Sequence, residues 1–285
     1  MKRLVVAFDF SKNSEHALEY ALVYAQKMSA AIELVWVDNT VSPSNLVDTI
    51  EEELRIEKKN FLKDLIKKYA SEYPGVPMKI SLGKGKVYQE ISKIAFRLKA
   101  DMIFAGTHGI SGYEQFWIGS NAFRITTSAP CPVVTIKWDY PVSNDISNIL
   151  LPLDSSLETK RKLPFTVQLA KQFGAKIHLL KVYNSTLGVI RHRIDSFGDE
   201  ALRYLKDADV EHQLYTHEAD NVATSIIEYA DKYQIDLITI MTDQETTTGS
   251  RFLGPYSQQL IHLAKMPVMS LQATYYENQE VDMIQ

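Results

Sequence analysis

A pattern of short apolar segments alternating with amphipathic helical segments occurs twice in this chain of 285 residues, and this repeat constrains the fold more than any other feature. Leu4 to Phe8 matches Ile149 to Leu153 at an offset of 145 positions. Towards the end of each copy the offset falls to 135, as between Val133 and Val268. A repeat of this length indicates two homologous domains and not a solenoid.

Strands that alternate with helices favour an α/β fold with right-handed crossovers and a parallel sheet in each copy. We therefore predict two tandem doubly wound parallel five-stranded sheets. The predicted domains are 1–140 and 148–273, joined by a short linker and followed by a polar tail, 274–285. The ten positions that the second copy lacks fall near its second helix, around Leu187 to Lys206.

Composition restricts the classes of function. The net charge of -4 argues against a general nucleic-acid binder, because the chain has no surplus of basic residues to displace counterions. Cys131 is the single cysteine, so neither an intrachain disulfide nor a cysteine-based zinc site is expected. The apolar run at the N-terminus is short and ends in a carboxylate, unlike a signal peptide. No apolar stretch is long enough for a membrane helix, and we expect a cytoplasmic protein.

A glycine-rich segment in the first copy has the character of an anion-binding loop. Gly106 follows a short apolar strand, and Gly119 and Ser120 precede a helix. Glycine permits close backbone approach, serine is a good N-cap residue, and a helix N-terminus attracts anions through its free amides and its dipole. The segment is therefore interpreted as a phosphate cradle, although a turn with convenient glycines is the alternative.

The spacing G-x2-G-x9-G-S, formed by Gly106, Gly109, Gly119 and Ser120, closely resembles that of the universal stress protein family, and a second, degenerate copy extends the resemblance over nearly the whole chain. The resemblance implies an adenine nucleotide alpha hydrolase-like fold with strand order 3-2-1-4-5 in each domain. It also implies ATP as the ligand, with any Mg²⁺ carried by the phosphates. The implied binding residues are Asp9, Val37, Ala105, Gly106, Gly109, Gly119, Ser120, Asn121 and Ala122.

Within this set, the family pattern implies that Asp9 and Val37 meet the base and ribose and that Gly119 to Ala122 meet the phosphates. Asn121 stands where the family usually has an apolar residue. Asp9 has an alternative role as a turn residue between strand and helix. No metal site built from protein side chains and no catalytic residue is predicted.

The second copy lacks most of these features. Met241 stands at the position of Gly106, and Pro255 replaces Ser120 next to the retained Gly254. Proline is accepted at the first helical position but removes one amide donor. We expect this half not to bind ATP in the manner of the first, and we expect Asp154 to remain as a residue of the fold.

Three functions remain open from sequence. The first is an ATP-binding regulatory stress protein, and the second is a stress scaffold that acts through protein partners or a small apolar ligand without nucleotide. The third is an enzyme on a related sheet, for which we find no nucleophile-and-base pair, although slow ATP hydrolysis or autophosphorylation stays open. The apolar fifth strands are predicted to pair within the chain, association into a homodimer stays open, and neither nucleic acid nor membrane is an expected partner.

Overall fold

The computed structural model describes residues 1–39, 48–107, 119–143, 145–242 and 254–272. The first half contains β1 (Arg3–Ala7), α1 (Lys12–Met28), β2 (Ala31–Asp38), α2 (Asp48–Glu72), β3 (Met78–Lys84), α3 (Val87–Leu98), β4 (Met102–Gly106), α4 (Ser120–Ser128) and β5 (Val133–Ile136). The second half contains β6 (Asn148–Leu153), a 3-10 helix (Leu157–Lys160), α5 (Lys162–Phe173), β7 (Lys176–Tyr183), α6 (Gly188–Asp207), β8 (His212–Glu218), α7 (Val222–Lys232), β9 (Leu237–Met241), α8 (Pro255–Leu263) and β10 (Val268–Leu271). The predicted tail, 274–285, lies outside the described residues.

The strands form one ten-stranded sheet in the order β3-β2-β1-β4-β5-β10-β9-β6-β7-β8. Each half is parallel and has the order 3-2-1-4-5, so the predicted α/β class and strand order are confirmed. The halves join where β5 and β10 pair antiparallel, with Met269 opposite Val134. Each apolar fifth strand therefore lies inside the sheet, where its backbone groups have partners.

The central strands are buried on both faces because helices cover both sides of the sheet. Leu4, Val5 and Val6 of β1 are fully buried, which explains why this strand is a continuous apolar run without alternation. The core also crosses from one half to the other: the rings of Tyr24 in α1 and Phe173 in α5 meet at 5.0 Å, edge to face. In the described part of the chain, no helix combines the length and apolar character required to cross a bilayer.

The starts of α1 and α4 show how each helix is capped. Ser11 is the N-cap of α1, because the Ser11 side chain accepts a hydrogen bond from the Ser14 amide at 3.2 Å. Gly119 is the N-cap of α4, so Ser120 is the first helical residue, and its predicted role as N-cap is wrong. The helix begins one residue earlier than it would with Ser120 as its cap, and its first amides have no side-chain cap.

Candidate functional site

A cavity of about 410 Å³ opens at the carboxyl ends of β1, β2 and β4. In a doubly wound sheet this edge, where the strand order reverses, is the usual position of a ligand site. Of the predicted residues, those that line the cavity are Asp9, Val37, Ala105, Gly106, Gly119, Ser120, Asn121 and Ala122. Gly109, the remaining predicted residue, lies outside the described residues.

Asp9 organises the turn that leads from β1 into α1. Its Oδ1 accepts hydrogen bonds from the Ser11 amide at 3.0 Å and from the Ser11 hydroxyl at 2.5 Å. The Asp9 amide donates to Ser14 Oγ at 3.2 Å. The alternative role as a turn residue is therefore present, but it occupies only one carboxylate oxygen, since no described residue donates to Asp9 Oδ2.

Gly106 allows α1 to approach the end of β4. A Cβ atom at this position would lie 2.6 Å from Cβ of Asn13 and 2.8 Å from its carbonyl carbon, closer than any real side chain tolerates. Asn13 in turn accepts a hydrogen bond from the Trp138 amide at 3.2 Å. The space that the missing side chain leaves at Gly106 is thus taken by the protein itself, so this glycine is required by packing whether or not a ligand is present.

The N-terminus of α4 faces the cavity with its amides unblocked. Gly119 has no side chain to cap the helix, and the first turn has no acidic residue. The Gly119 amide donates to the Thr107 carbonyl at 2.8 Å, which joins the two ends of the glycine-rich segment. Ser120, Asn121 and Ala122 therefore present an anion-attracting helix end to the cavity.

Another part of the cavity wall is an apolar slot. Val37 from β2 and Ile91 from α3 are buried, and both line the cavity together with Val87 and Ile125. Gly83 on β3 lets this wall close, because a Cβ atom there would lie 3.2 Å from Cγ2 of Val37. The slot has the character of a site for a flat apolar ring, with polar groups of the ligand directed along the carboxyl edge.

Sequence reasoning missed several lining residues. Phe10, Trp36, Asn39 and Lys58 also border the cavity. Phe10 has a left-handed backbone conformation, with φ 66°, which a bulky residue rarely adopts and for which the local sequence carries no signal. Lys58 comes from α2, a helix rich in charged residues, and the tertiary packing of α2 brings it to the cavity.

In the second half, a tyrosine side chain stands in the equivalent region. Tyr256 occupies the position of Asn121 at an offset of 135, and its hydroxyl donates to Oδ2 of Asp154. Asp154 Oδ1 keeps the turn contacts of Asp9, to the Ser156 amide at 2.8 Å and the Ser156 hydroxyl at 2.5 Å. Burial and the Asp154 carboxylate raise the pKa of the Tyr256 phenol well above its usual value. The phenol thus spans the space that stays open in the first half.

A buried lysine lies beneath this second-half turn. Lys162 is 1% exposed, and its ammonium donates to Thr159 Oγ1 at 3.2 Å. Burial lowers the pKa of Lys162 from 10.5 to about 8, against an opposing effect of the Asp154 carboxylate. The first half has Ala17 at the equivalent position, so the polar network is specific to the second half. Among the described residues, no group of three or more His, Cys, Asp or Glu is arranged to hold a metal ion.

Comparison with known proteins gives one consistent result. A model of the universal stress protein family matches residues 1–137 and 146–271. A universal stress protein of Methanocaldococcus jannaschii is 33% identical over 142 residues, which is 48% of this chain and 82% of the relative. The crystal structure of a universal stress protein from Archaeoglobus fulgidus is similar with a TM-score of 0.74 at 19% identity, over 95% of this chain and 96% of that one.

Proposed function

The chain belongs to the universal stress protein family, and we propose that its N-terminal half binds ATP, with Mg²⁺ carried by the phosphates, as a regulatory protein of the stress response. The observation that carries this proposal is the difference between the halves. The first half has an open cavity between an apolar slot and an uncapped helix N-terminus, whereas Tyr256 fills the equivalent space of the second.

The cavity residues suggest how the ligand is oriented. The base fits the slot beside Val37 and Ile91, since both are apolar and buried. The free Oδ2 of Asp9 is available to accept a hydrogen bond from a ribose hydroxyl. The phosphates reach the amides of Ser120 to Ala122, where the helix dipole and the unpaired N–H groups favour negative charge.

We propose binding and regulation and no catalytic turnover. The hydroxyl groups that line the cavity belong to Ser14, Thr107 and Ser120. No histidine is among the described lining residues, and Asp9, the carboxylate among them, is engaged through Oδ1 in the Ser11 turn. The proposal therefore assigns Asp9 to ligand binding and names no general base among the described lining residues.

Isothermal titration calorimetry of the full chain with Mg²⁺ and ATP tests the proposal. We expect one site per chain and a rise in melting temperature with ATP concentration, because a ligand that binds only the native state stabilises it by about 2.7 kcal/mol at 100 times its Kd. No heat and no thermal shift at millimolar ATP would instead support the nucleotide-free scaffold, which acts through protein partners or a small apolar ligand.

A further inference from the structure

One wall of the cavity is left unused by the contacts proposed for ATP. It consists of Phe10, Trp36 and Lys58, and all three line the cavity. The Phe10 ring lies 5.9 Å from Trp36 and 5.3 Å from Phe61, each at a steep angle. The Lys58 ammonium lies 4.6 Å from the centroid of the Phe10 ring. We call Phe10, Trp36 and Lys58 the aromatic-lysine wall.

The charge on this wall is not neutralised by the surrounding protein. No carboxylate among the described residues lies within ion-pair distance of Lys58, whose described partner is the face of Phe10. Asp9 is the residue immediately before Phe10, and its Oδ2 accepts no hydrogen bond from a described residue. An acceptor oxygen and an ammonium group therefore both belong to the cavity lining, and neither has an ion-pair partner among the described residues.

The backbone of Phe10 supports a role in binding. A non-glycine residue with φ 66° stores backbone strain, and such residues tend to occur at functional sites. The equivalent residue of the second half, Ser155, is not among the residues with positive φ. The strain thus occurs in the half whose cavity is open and is missing where Tyr256 fills the space.

We infer that the aromatic-lysine wall binds a phosphate group attached to the ribose, so that the preferred ligands are adenine nucleotides phosphorylated at the 2′ or 3′ position as well as at the 5′ position. This inference rests on the proposed function. With the base beside Val37 and the 5′-phosphates at α4, the ribose lies against Asp9. Oδ2 of Asp9 accepts a bond from one hydroxyl, and Lys58 neutralises a phosphate on the other. Dinucleotide sites use these two contacts separately: an acidic residue binds a ribose hydroxyl in NAD sites, and a cation accommodates a ribose phosphate in NADP sites.

Calorimetric titration of the full chain with three probes tests the inference: AMP, adenosine 2′,5′-bisphosphate and adenosine 3′,5′-bisphosphate. We expect one of the bisphosphates to bind at least about tenfold more tightly than AMP, as a charge-assisted contact would give. Lys58→Gln should bring the ratio of the two affinities close to one. Lys58→Arg should restore most of the ratio, because it keeps the charge. Lys59→Gln, which removes an exposed neighbouring lysine, is the matched control and should keep the full ratio.

The outcomes separate the two proposals. If AMP or ATP binds but neither bisphosphate binds more tightly than AMP, the inference is wrong and the proposed function stands. If the preference exists but survives Lys58→Gln, the aromatic-lysine wall is not its source, and the inference is also wrong. Failure of all adenine nucleotides to bind would overturn the proposed function together with the inference.

Discussion

Gly106 in the first half and Met241 in the second lie at equivalent positions, at the ends of β4 and β9, and the helices that pack against them begin differently. Next to Gly106, α1 starts directly at Lys12 because Asn13 fits against the bare backbone. Next to Met241, the chain forms the 3-10 helix Leu157–Lys160 and α5 starts only at Lys162. At Gly106 the missing side chain is what allows the helix to approach the strand end, and the half that carries methionine there has a different helix start.

The regions around Asp9 and Asp154 also differ in their polar contacts. The first half keeps Asp9 Oδ2 open to a cavity, whereas the second half closes the space with Tyr256 and buries Lys162 beneath it. The turn contacts of Asp9 and Asp154 are nevertheless alike. In both halves the fold therefore accounts for the aspartate through its turn contacts. The halves differ in the second carboxylate oxygen, which is open to the cavity in Asp9 and bonded to Tyr256 in Asp154. Substitutions at four positions test this difference between the halves.

The largest effect is expected at Gly106. Gly106→Ala places a Cβ atom 2.6 Å from Cβ of Asn13 and 2.8 Å from its backbone, so the start of α1 must move. We expect a loss of about 3 kcal/mol or more in the free energy of unfolding, measured by urea denaturation. Gly188→Ala is the control, since nothing lies within 4 Å of its new Cβ, and it should change stability by about 0.5 kcal/mol or less. Equal effects of the two variants would contradict the packing explanation.

Replacing Lys162 is expected to increase stability in a pH-dependent manner. Its pKa in the folded state, about 8, lies below the usual 10.5, so the unfolded chain binds the proton more tightly and the charge destabilises the fold at neutral pH. The shift corresponds to about 3 kcal/mol at pH 7, and stability should rise as pH increases from 8 to 10.5. Lys162→Met should gain up to that amount at pH 7 and little above pH 10.5.

Lys171→Met, on the exposed face of the same helix, is the control for Lys162→Met and should give no comparable pH dependence. Urea denaturation of both variants from pH 6 to 10.5 measures the difference. A loss of stability in Lys162→Met that is equal at all pH values would show that the charge of Lys162 is not the destabilising element.

A smaller effect is expected when the first half is given the proline of the second. Ser120→Pro removes one amide donor at the first position of α4, where proline does not disturb the helix, as Pro255 illustrates in α8. If ATP binds as proposed, its Kd should rise about tenfold, because a hydrogen bond to a charged group is lost. Ser120→Ala, which keeps the amide, should have a weaker effect. Unchanged affinity in both would exclude this helix end as the phosphate site.

The smallest effect is expected at Tyr256. Tyr256→Phe removes the hydroxyl that donates to Asp154 Oδ2 and leaves a partly buried carboxylate oxygen without that partner. We expect a loss of about 1 kcal/mol in thermal or urea unfolding. Tyr204→Phe, at an exposed tyrosine, should be neutral. If Tyr256→Phe is also neutral, the hydroxyl contributes nothing and only the ring fills the space.

Sequence reasoning reached the fold because its signals are periodic and repeated. Buried parallel strands are continuous apolar runs, and the same order of elements in two copies of the repeat supports the assignment of each. The candidate site was predictable where a motif constrains the backbone, as at Gly119 and Ala122. It was not predictable where tertiary packing decides: Lys58 reaches the cavity from a helix with a charged sequence, and nothing local marks the left-handed Phe10. The role of Tyr256 could in principle have been predicted from the sequence, because aligning the halves at offset 135 matches this tyrosine with Asn121.

The antiparallel pairing of β5 with β10 reverses the direction of every strand in the second half relative to the first. The cavity and the Tyr256–Asp154 contact therefore lie on opposite rims of the sheet, and no single small molecule can bridge them. The two homologous halves therefore pair within one chain, and the described cavity lies on one rim. With the proposed ligand, such a chain gives a hyperbolic saturation curve with a Hill coefficient of about one, so its response is graded, whereas two coupled identical sites could act as a switch.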